Sequence, residues 1–236
     1  MTTSAGRKSR SVRPRRQGSR SALNLWLIGA GIFFVVLIGL VIYLNSRPTP
    51  AAVTELDLPS GWVSGTTLGN PDAPVTIQAW EDFLCPACAQ WTAVIKPQLQ
   101  TQYIDSGQVR LEFHQLPLRS HDPGASMGAH ASLCAADQNQ FWPYHDALFA
   151  AASSRGQAGF TLNALADTAR QVGLDERTFS QCMSSQQHRA AIDASLLEAQ
   201  RLQLQATPSL LINGELVENP FDFAAIQTRI DALLSD

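Results

Sequence analysis

The chain of 236 residues is poor in cysteine, and no acidic side chain occurs among its first 47 residues. Four cysteines are too few for a small domain held together by disulfides. With 45% apolar and only 16% charged residues, the composition excludes a disordered or collagen-like protein. The sequence has no internal repeat and no second C-x-x-C motif, and the missing motif argues against a four-cysteine zinc site.

Positive and negative charges are separated along the chain. Residues 1–47 contain eight of the 17 basic residues and none of the 20 acidic ones, so the other 189 residues carry nine basic and all 20 acidic side chains. The acidic part argues against general nucleic-acid binding, which requires a basic surface on the folded part. The asymmetry predicts an N-terminal tail with a role of its own.

An uncharged apolar segment, residues 25–44, follows the basic tail. Twenty helical residues span about 30 Å, the thickness of a bilayer's hydrocarbon core. Trp26 and Tyr43 lie near the two ends, where interfacial aromatic residues belong, and the positive-inside rule places the N-terminus in the cytoplasm. We therefore predict a transmembrane signal anchor in contact with membrane lipid, preceded by a cytoplasmic tail at residues 1–24. A cleaved signal peptide is the alternative, disfavoured because its apolar core is usually about 7–15 residues long.

Residues 45–61 contain prolines and small residues without a clear period, which is typical of a linker. The linker leaves residues 62–236 as one folded domain outside the cytoplasm. A domain of this size is large enough to bury a hydrophobic core.

The motif that carries chemistry is Cys85-Pro86-Ala87-Cys88. It follows a predicted strand at residues 75–80, which is rich in β-branched and aromatic residues, and it precedes a helix whose first position suits proline. The Cys85 sulfur would then lie over the unpaired N–H groups of the first helical turn, which favour a thiolate. We predict that Cys85 is the catalytic nucleophile and that Cys88, one turn further along, is the resolving cysteine.

A C-x-x-C pair by itself leaves three interpretations open: a redox pair, half of a zinc site, or an inert disulfide. A zinc site would need further cysteines or a close pair of histidines, whereas the five histidines are scattered. An inert disulfide across two residues would close no long loop. We favour redox chemistry, and we expect no metal and no cofactor beyond the redox-active disulfide.

Four segments, in this order, resemble the DsbA-like thiol:disulfide oxidoreductases of the thioredoxin superfamily, in particular the membrane-anchored, BdbD-like members. These segments are LGNPDAPVTI with EDFLCPAC, residues 121–149, VGLDERTFSQCM at 172–183, and ATPSLLING at 206–214. The resemblance covers roughly residues 66–236. It implies an α/β, thioredoxin-like fold with an inserted helical subdomain at about 121–204, preceded by the transmembrane helix.

The pattern of the residues agrees with several elements of that fold. Apolar and polar residues alternate at 109–113, as in a half-buried strand. Asn213-Gly214 is a strong hairpin signal between the apolar residues 210–212 and 216–217, within the strands that the resemblance places near 209–212 and 215–218. The helix that starts at Pro86 is predicted to reach about Tyr103, with a kink at Pro97.

The resemblance also implies that the Thr207–Pro208 bond is cis and faces the cysteine pair, leaving the backbone of Thr207 free to pair with an extended substrate. An ordinary proline at a strand entry is the alternative. Together with Pro86 and Ala87, these two residues are predicted to support the active site and bind substrate.

Two departures from the family pattern are visible. Many relatives carry an acidic residue six positions before the first cysteine, where this chain has Ala79. Glu81 lies two residues further along the strand, on the same face, and is a weak substitute for that acid. The dipeptide between the cysteines, Pro86-Ala87, lacks the histidine of the best-known oxidant of the family. Because a nearby histidinium would stabilise the thiolate further, its absence predicts a milder oxidant.

Cys134 and Cys182 lie in two predicted helical segments of the insertion. In an oxidising compartment we expect them to form a structural disulfide, which would stabilise the domain by roughly 4 kcal/mol in the chain-entropy model. Two buried free cysteines are the alternative.

The most consistent function is that of an extracytoplasmic oxidase, anchored in a bacterial plasma membrane, which introduces disulfides into reduced exported proteins. By resemblance, its recycling partner would be a quinone-linked membrane oxidase of the DsbB or vitamin K epoxide reductase type. A reductase or isomerase, for example in cytochrome maturation, would use the same residues, and a tethered chaperone or binding module is an alternative of a different class. We expect a monomer.

Overall fold

The computed structural model describes residues 20–45 and 58–235, and within the first helix it describes the side chains of residues 26–39 only. The chain separates into two compact units, Met1–Thr49 and Pro50–Asp236. In the first unit, helix α1 comprises Arg20–Asn45 and includes the predicted apolar segment. Over the described residues, no helix has both the length and the apolar character that crossing a membrane requires, and the transmembrane helix stays a prediction.

The second unit is an α/β domain built on a six-stranded sheet of order β1-β2-β4-β3-β5-β6. Its strands are β1 Val63–Ser64, β2 Thr67–Leu68, β3 Val75–Glu81, β4 Val109–Gln115, β5 Ser209–Ile212 and β6 Glu215–Leu216. The central pair, β3 and β4, is parallel, and each of the other pairs is antiparallel. This topology is the predicted thioredoxin-like arrangement.

The helices follow the predicted order. They are α2 Pro86–Val94, α3 Lys96–Leu99, α4 Gly124–Ala136, α5 Phe141–Arg155, α6 Leu162–Gln171, α7 Glu176–Ser185, α8 Arg189–Arg201 and α9 Phe223–Ser235. A π-helical turn, Gln100–Ile104, continues α3, and short 3₁₀ turns lie at Arg119–His121 and Gly156–Phe160. Helices α4 to α8 form the helical insertion between β4 and β5.

Local sequence signals explain several of these boundaries. The predicted helix of residues 86–103 is interrupted between α2 and α3, at the turn that precedes Pro97, because proline cannot donate the backbone hydrogen bond of a continuous helix. Asn213 and Gly214 both have positive φ, 48° and 83°, as a tight hairpin turn requires, and they join β5 to β6. Strand β6 is two residues long, shorter than the predicted 215–218.

The core lies on both faces of the sheet. On one face, Ile77 and Ala79 of β3 pack in the main cluster that also contains Cys85 and Cys88. On the other face, Trp80 packs with Leu211 in a smaller cluster. Successive side chains of a strand point to opposite faces, so odd-numbered positions of β3 face the cysteine motif.

Candidate active site

Cys85 lies at the junction between β3 and α2. It occupies the N-cap position with an extended backbone (φ −77°, ψ 120°), and Pro86 is the first residue of the helix, as predicted. The Cys85 side chain is 8% exposed, whereas Cys88 is fully buried one turn into α2. Both cysteines are free thiols, so the structure represents the dithiol form.

The pKa of Cys85 is lowered to about 5. The Cys88 thiol contributes most to this shift, and Thr207 and the backbone N–H groups of Cys88 and Ala87 lower the pKa further, against the opposing effect of burial. The N–H groups of the first turn contribute to this shift, as predicted, but the larger effect comes from the neighbouring Cys88 thiol. Cys85 is therefore a thiolate at neutral pH.

Cys88 behaves in the opposite way. Burial raises the pKa of its thiol strongly, and the hydrogen bond that it gives to Cys85 and the nearby charge of Glu81 raise it further. Cys85 is thus ionised and the more exposed residue of the pair, at 8% against 0%, whereas Cys88 is protonated. This asymmetry supports the predicted roles of attacking and resolving cysteine, which stay predictions.

The Thr207–Pro208 peptide bond is cis and adjoins the cysteine pair. The Cys85 sulfur lies 3.4 Å from the carbonyl oxygen of Thr207, so the thiol can donate a hydrogen bond to this oxygen only in its protonated form. A second cis bond, Asp122–Pro123, precedes α4. This second cis bond was not predicted, since any X–Pro pair is compatible with either isomer.

Asp82 was also missed, although it shapes the loop that presents Cys85. Its carboxylate is fully buried and accepts hydrogen bonds from the backbone N–H groups of Leu84 and Leu118, at 2.7 and 2.8 Å. The same carboxylate contacts Nδ1 of His121 at 2.8 Å. The backbone N–H of Cys85 in turn donates to the carbonyl oxygen of Asp82. An aspartate that accepts from the backbone two residues ahead is a common turn signal and was the available clue.

Glu81, named above as a weak substitute for the absent acid, is buried and belongs to a group of charged side chains that was not predicted. Burial raises the pKa of Glu81 to about 8, although the positive charge of Lys96 lowers it in part. Lys96 donates to Asp146 Oδ1 at 2.7 Å, and His145 Nδ1 lies 2.8 Å from the same oxygen. Burial lowers the pKa of His145 to about 4. Lys96 and Asp146 are 50 residues apart, so their pairing carries no local signal in the sequence.

The second cysteine pair forms the expected disulfide between α4 and α7. Cys134 and Cys182 are bonded, with 5.8 Å between their Cα atoms. Over the described residues, the two groups of side chains arranged as possible metal ligands combine Cys182 with His130 and Cys134, or with Asp137 and His188. In both groups the Cys182 sulfur is already bonded to Cys134 and is not available as a thiolate ligand.

Comparisons with known proteins agree with this geometry. A sequence profile described as thioredoxin matches residues 63–232. A probable disulfide bond formation protein D from Bacillus anthracis is 28% identical over 211 residues, covering 87% of this chain and 95% of the relative. The crystal structure of oxidised BdbD from Bacillus subtilis matches with a TM-score of 0.68 and 26% identity, covering 73% of this chain and 94% of the other. A thioredoxin-like oxidoreductase from Silicibacter pomeroyi DSS-3 matches with a TM-score of 0.61 and 27% identity, covering 72% and 92% of the two chains.

Proposed function

The chain belongs to the thioredoxin family, and we propose that within it the protein is a thiol–disulfide oxidoreductase that introduces disulfides into exported proteins through Cys85 and Cys88. The observation that carries the proposal is the opposite behaviour of the two sulfurs, with the pKa of Cys85 lowered to about 5 and that of Cys88 raised. A thiolate stable at neutral pH is a good leaving group, and it stabilises the reduced form of the pair. Stabilising the reduced form makes the corresponding disulfide oxidising.

In the oxidised protein, a substrate thiolate attacks Cys85 because it is the more exposed residue of the pair. The Cys85–Cys88 bond breaks, a mixed disulfide forms between substrate and Cys85, and the electron pair passes to Cys88. A second substrate thiolate then attacks the substrate sulfur of the mixed disulfide and expels Cys85 as a thiolate. The substrate is oxidised by two electrons and the protein is reduced. No cofactor other than the redox-active disulfide takes part in these steps.

The substrate backbone would pair with the chain segment at Thr207. The carbonyl oxygen of Thr207 already lies within hydrogen-bond distance of the Cys85 sulfur, and Pro208 follows directly in cis. An extended substrate segment placed there brings its cysteine against Cys85. This arrangement selects unfolded or flexible substrates, because a folded protein offers few unpaired extended segments.

The proposal extends to the location of the protein. We place the N-terminus in the cytoplasm, residues 25–44 in a bacterial plasma membrane and the redox domain outside, because the basic residues precede the apolar segment. Reporter fusions after residue 20 and after residue 60 would test this topology. Activity of an exported reporter at residue 20, or its failure at residue 60, would contradict it.

Repeated turnover needs an oxidant for the reduced pair. We propose a quinone-linked membrane oxidase of the DsbB or vitamin K epoxide reductase type, which the anchored position would bring within reach. The support is the family resemblance and the apolar segment. Loss of the oxidised form in cells that lack such an oxidase is the expected result.

The central experiment mixes the oxidised protein with a reduced, unfolded substrate that contains two cysteines. We expect substrate disulfides to appear in equal amount to the protein dithiols formed, and we expect Cys85→Ser to abolish the reaction. A wild-type protein that forms no substrate disulfide would refute the oxidase function. A Cys85→Ser variant that supports substrate folding fully in cells would indicate a binding module instead.

A further inference from the structure

The disulfide between α4 and α7 has an imidazole and a carboxylate beside it that the cysteine chemistry described above does not use. His130, Cys134 and Asp137 occupy positions i, i+4 and i+7 along α4, so they share one face of this helix, and Asp137 is its C-terminal cap residue. Cys182 lies opposite them on α7, with 5.8 Å between its Cα atom and that of Cys134. Four possible metal ligands from two helices are therefore brought to one place.

The donor atoms of these four residues are already close together. A ring nitrogen of His130 and the sulfurs of Cys134 and Cys182 lie within 4.8 Å of one another. Asp137 Oδ2 lies 3.8 Å from the Cys182 sulfur. In a tetrahedral zinc site, bonds of about 2.3 Å to sulfur and about 2.0–2.2 Å to nitrogen or oxygen place neighbouring donor atoms roughly 3.3–3.8 Å apart. Small side-chain rotations would give this spacing once the S–S bond is open.

Asp137 is held in place by the residues that follow α7. Its Oδ2 accepts a hydrogen bond from the side-chain amide of Gln187 at 3.0 Å and lies 2.7 Å from Nε2 of His188. Gln186 has a left-handed backbone, with φ 51°, which ends α7 and turns the chain back towards α4. Carboxylates that bind a metal are usually hydrogen-bonded in this way, because such contacts orient the ligand.

The site is buried, and its frame does not depend on the S–S bond alone. His130, Cys134 and Cys182 are 8%, 1% and 4% exposed. Phe179, one turn before Cys182 on α7, is buried in the same core cluster as Cys134. This packing would keep α4 against α7 when the disulfide is open. Two thiolates at such a site need a positive partner, because an unpaired buried charge is costly.

We propose that, in the chain with reduced cysteines, His130, Cys134, Asp137 and Cys182 bind one Zn²⁺ ion, and that this ion links α4 to α7 before the disulfide does. Thiolate, imidazole and carboxylate are all zinc ligands, and four of them fill a tetrahedral site. His188 is a positioning residue that acts through Asp137. The sequence predicted no metal because its histidines are scattered; the packing of α4 against α7 is what brings this ligand set together.

The zinc-binding state needs no dedicated reductant. Cysteines stay reduced in the compartment where a chain is made, so on the proposed extracytoplasmic location a newly exported chain arrives with both thiols. Zn²⁺ binds them as thiolates, and their two protons pass to solvent.

Oxidation of the pair would release the ion. The oxidant is a protein disulfide, of the kind that this chain itself carries when Cys85 and Cys88 are bonded. One thiolate of the Cys134 and Cys182 pair attacks that disulfide, a mixed disulfide forms, and the second thiolate displaces the oxidant's sulfur. The new S–S bond holds neither sulfur as a thiolate, so Zn²⁺ leaves, and the oxidant becomes a dithiol with two protons from solvent.

The test uses the full chain in detergent with Cys85→Ser and Cys88→Ser, so that the C-x-x-C pair cannot bind the metal. The chain is reduced with a phosphine and, without air, titrated with Zn²⁺ in competition with a chromophoric chelator. We expect one equivalent of Zn²⁺ to bind the reduced chain and none to bind the disulfide form. Co²⁺ in place of Zn²⁺ should give a thiolate-to-metal charge-transfer band and the strong visible bands of a tetrahedral ion.

Substitutions then identify the ligands. We expect His188→Gln to weaken Zn²⁺ binding by about tenfold or more, since contacts to a ligand contribute roughly 10–100-fold to metal affinity. His130→Ala and Asp137→Asn, which remove ligands, should each weaken it further. The matched controls are His114→Gln on β4 and Asp193→Asn on α8, where the Asp193 side chain is 64% exposed; both should bind Zn²⁺ as tightly as the parent.

A reduced chain that binds no Zn²⁺, or binds it no more tightly than the disulfide form, would overturn the site. An affinity unchanged in either His130→Ala or Asp137→Asn would overturn the four-residue ligand set, as expected if the two thiols act alone in an unfolded segment. Urea unfolding is an independent measurement: Zn²⁺ should raise the midpoint of the reduced chain only, and an unmoved midpoint would contradict the link between the helices. The tested chain lacks Cys85 and Cys88, so these results leave the proposed oxidase function untouched.

Discussion

Replacing Cys88 by alanine will raise the pKa of Cys85, because the Cys88 thiol is the largest single influence that lowers it. Hydrogen bonds to charged groups contribute about 1.5–3 kcal/mol, and one pKa unit corresponds to about 1.4 kcal/mol. Loss of this donor should therefore raise the pKa of Cys85 by roughly one to two units. The backbone N–H groups of the first turn remain in the variant, so the pKa should stay below that of an ordinary cysteine.

The measurement is clean because Cys134 and Cys182 are bonded to each other, so Cys85 is the one free thiol left in Cys88→Ala. The pH dependence of alkylation by iodoacetamide, together with thiolate absorbance near 240 nm, reports its ionisation. Cys88→Ser is the matched control, since its hydroxyl can still donate to the thiolate and should keep the pKa closer to the wild-type value of about 5. An unchanged midpoint in Cys88→Ala would show that the helix N-terminus alone stabilises the thiolate and would refute the reasoning.

Three further predictions concern stability and redox strength. Replacing both Cys134 and Cys182 by serine should lower the free energy of unfolding by roughly 4 kcal/mol, measured by urea denaturation; a loss below about 1 kcal/mol would contradict it. Burial depresses the pKa of His145 in the folded protein to about 4, so the folded state favours the neutral imidazole. The stability that depends on neutral His145 is therefore complete above pH 6.5 and is lost as the pH falls towards 4. Over this pH range the free energy of unfolding should decrease by up to about 1.4 kcal/mol per pH unit, and His145→Gln should make it depend less on pH. An unchanged pH dependence in His145→Gln would show that other groups cause the decrease. The Cys85–Cys88 potential, measured against glutathione, should be less oxidising than about −120 mV, the potential of DsbA; an equal potential would show that the missing histidine is unimportant.

Elements with a local signal could be predicted from the sequence. The strand that precedes Cys85, the helix start at Pro86 and the hairpin at Asn213-Gly214 each depend on a few adjacent residues, and each is present. Strands β1 and β2 were not predicted, because two residues are too short for a periodic pattern. The family resemblance, rather than local pattern, supplied the cis bond at Thr207–Pro208.

The group of charged side chains around Glu81 has no such local signal and could not be predicted from the sequence. Glu81 was named only as a weak substitute for the acid that is absent at position 79, and nothing in the local sequence predicted that Lys96 would be buried. Their burial depends on α5, whose Asp146 lies 50 residues after Lys96. Contacts over such distances are set by tertiary packing, which one sequence does not display.

The contact between Cys85 and Thr207 joins positions 122 residues apart. During synthesis both cysteines of the motif precede the Thr207 segment, which comes to lie beside Cys85 only when β5 pairs with β3. The chain also carries two cysteines, Cys134 and Cys182, that form a disulfide of its own in the folded domain. If the proposed function holds, the protein would therefore need a disulfide formed in itself as well as forming disulfides in other proteins.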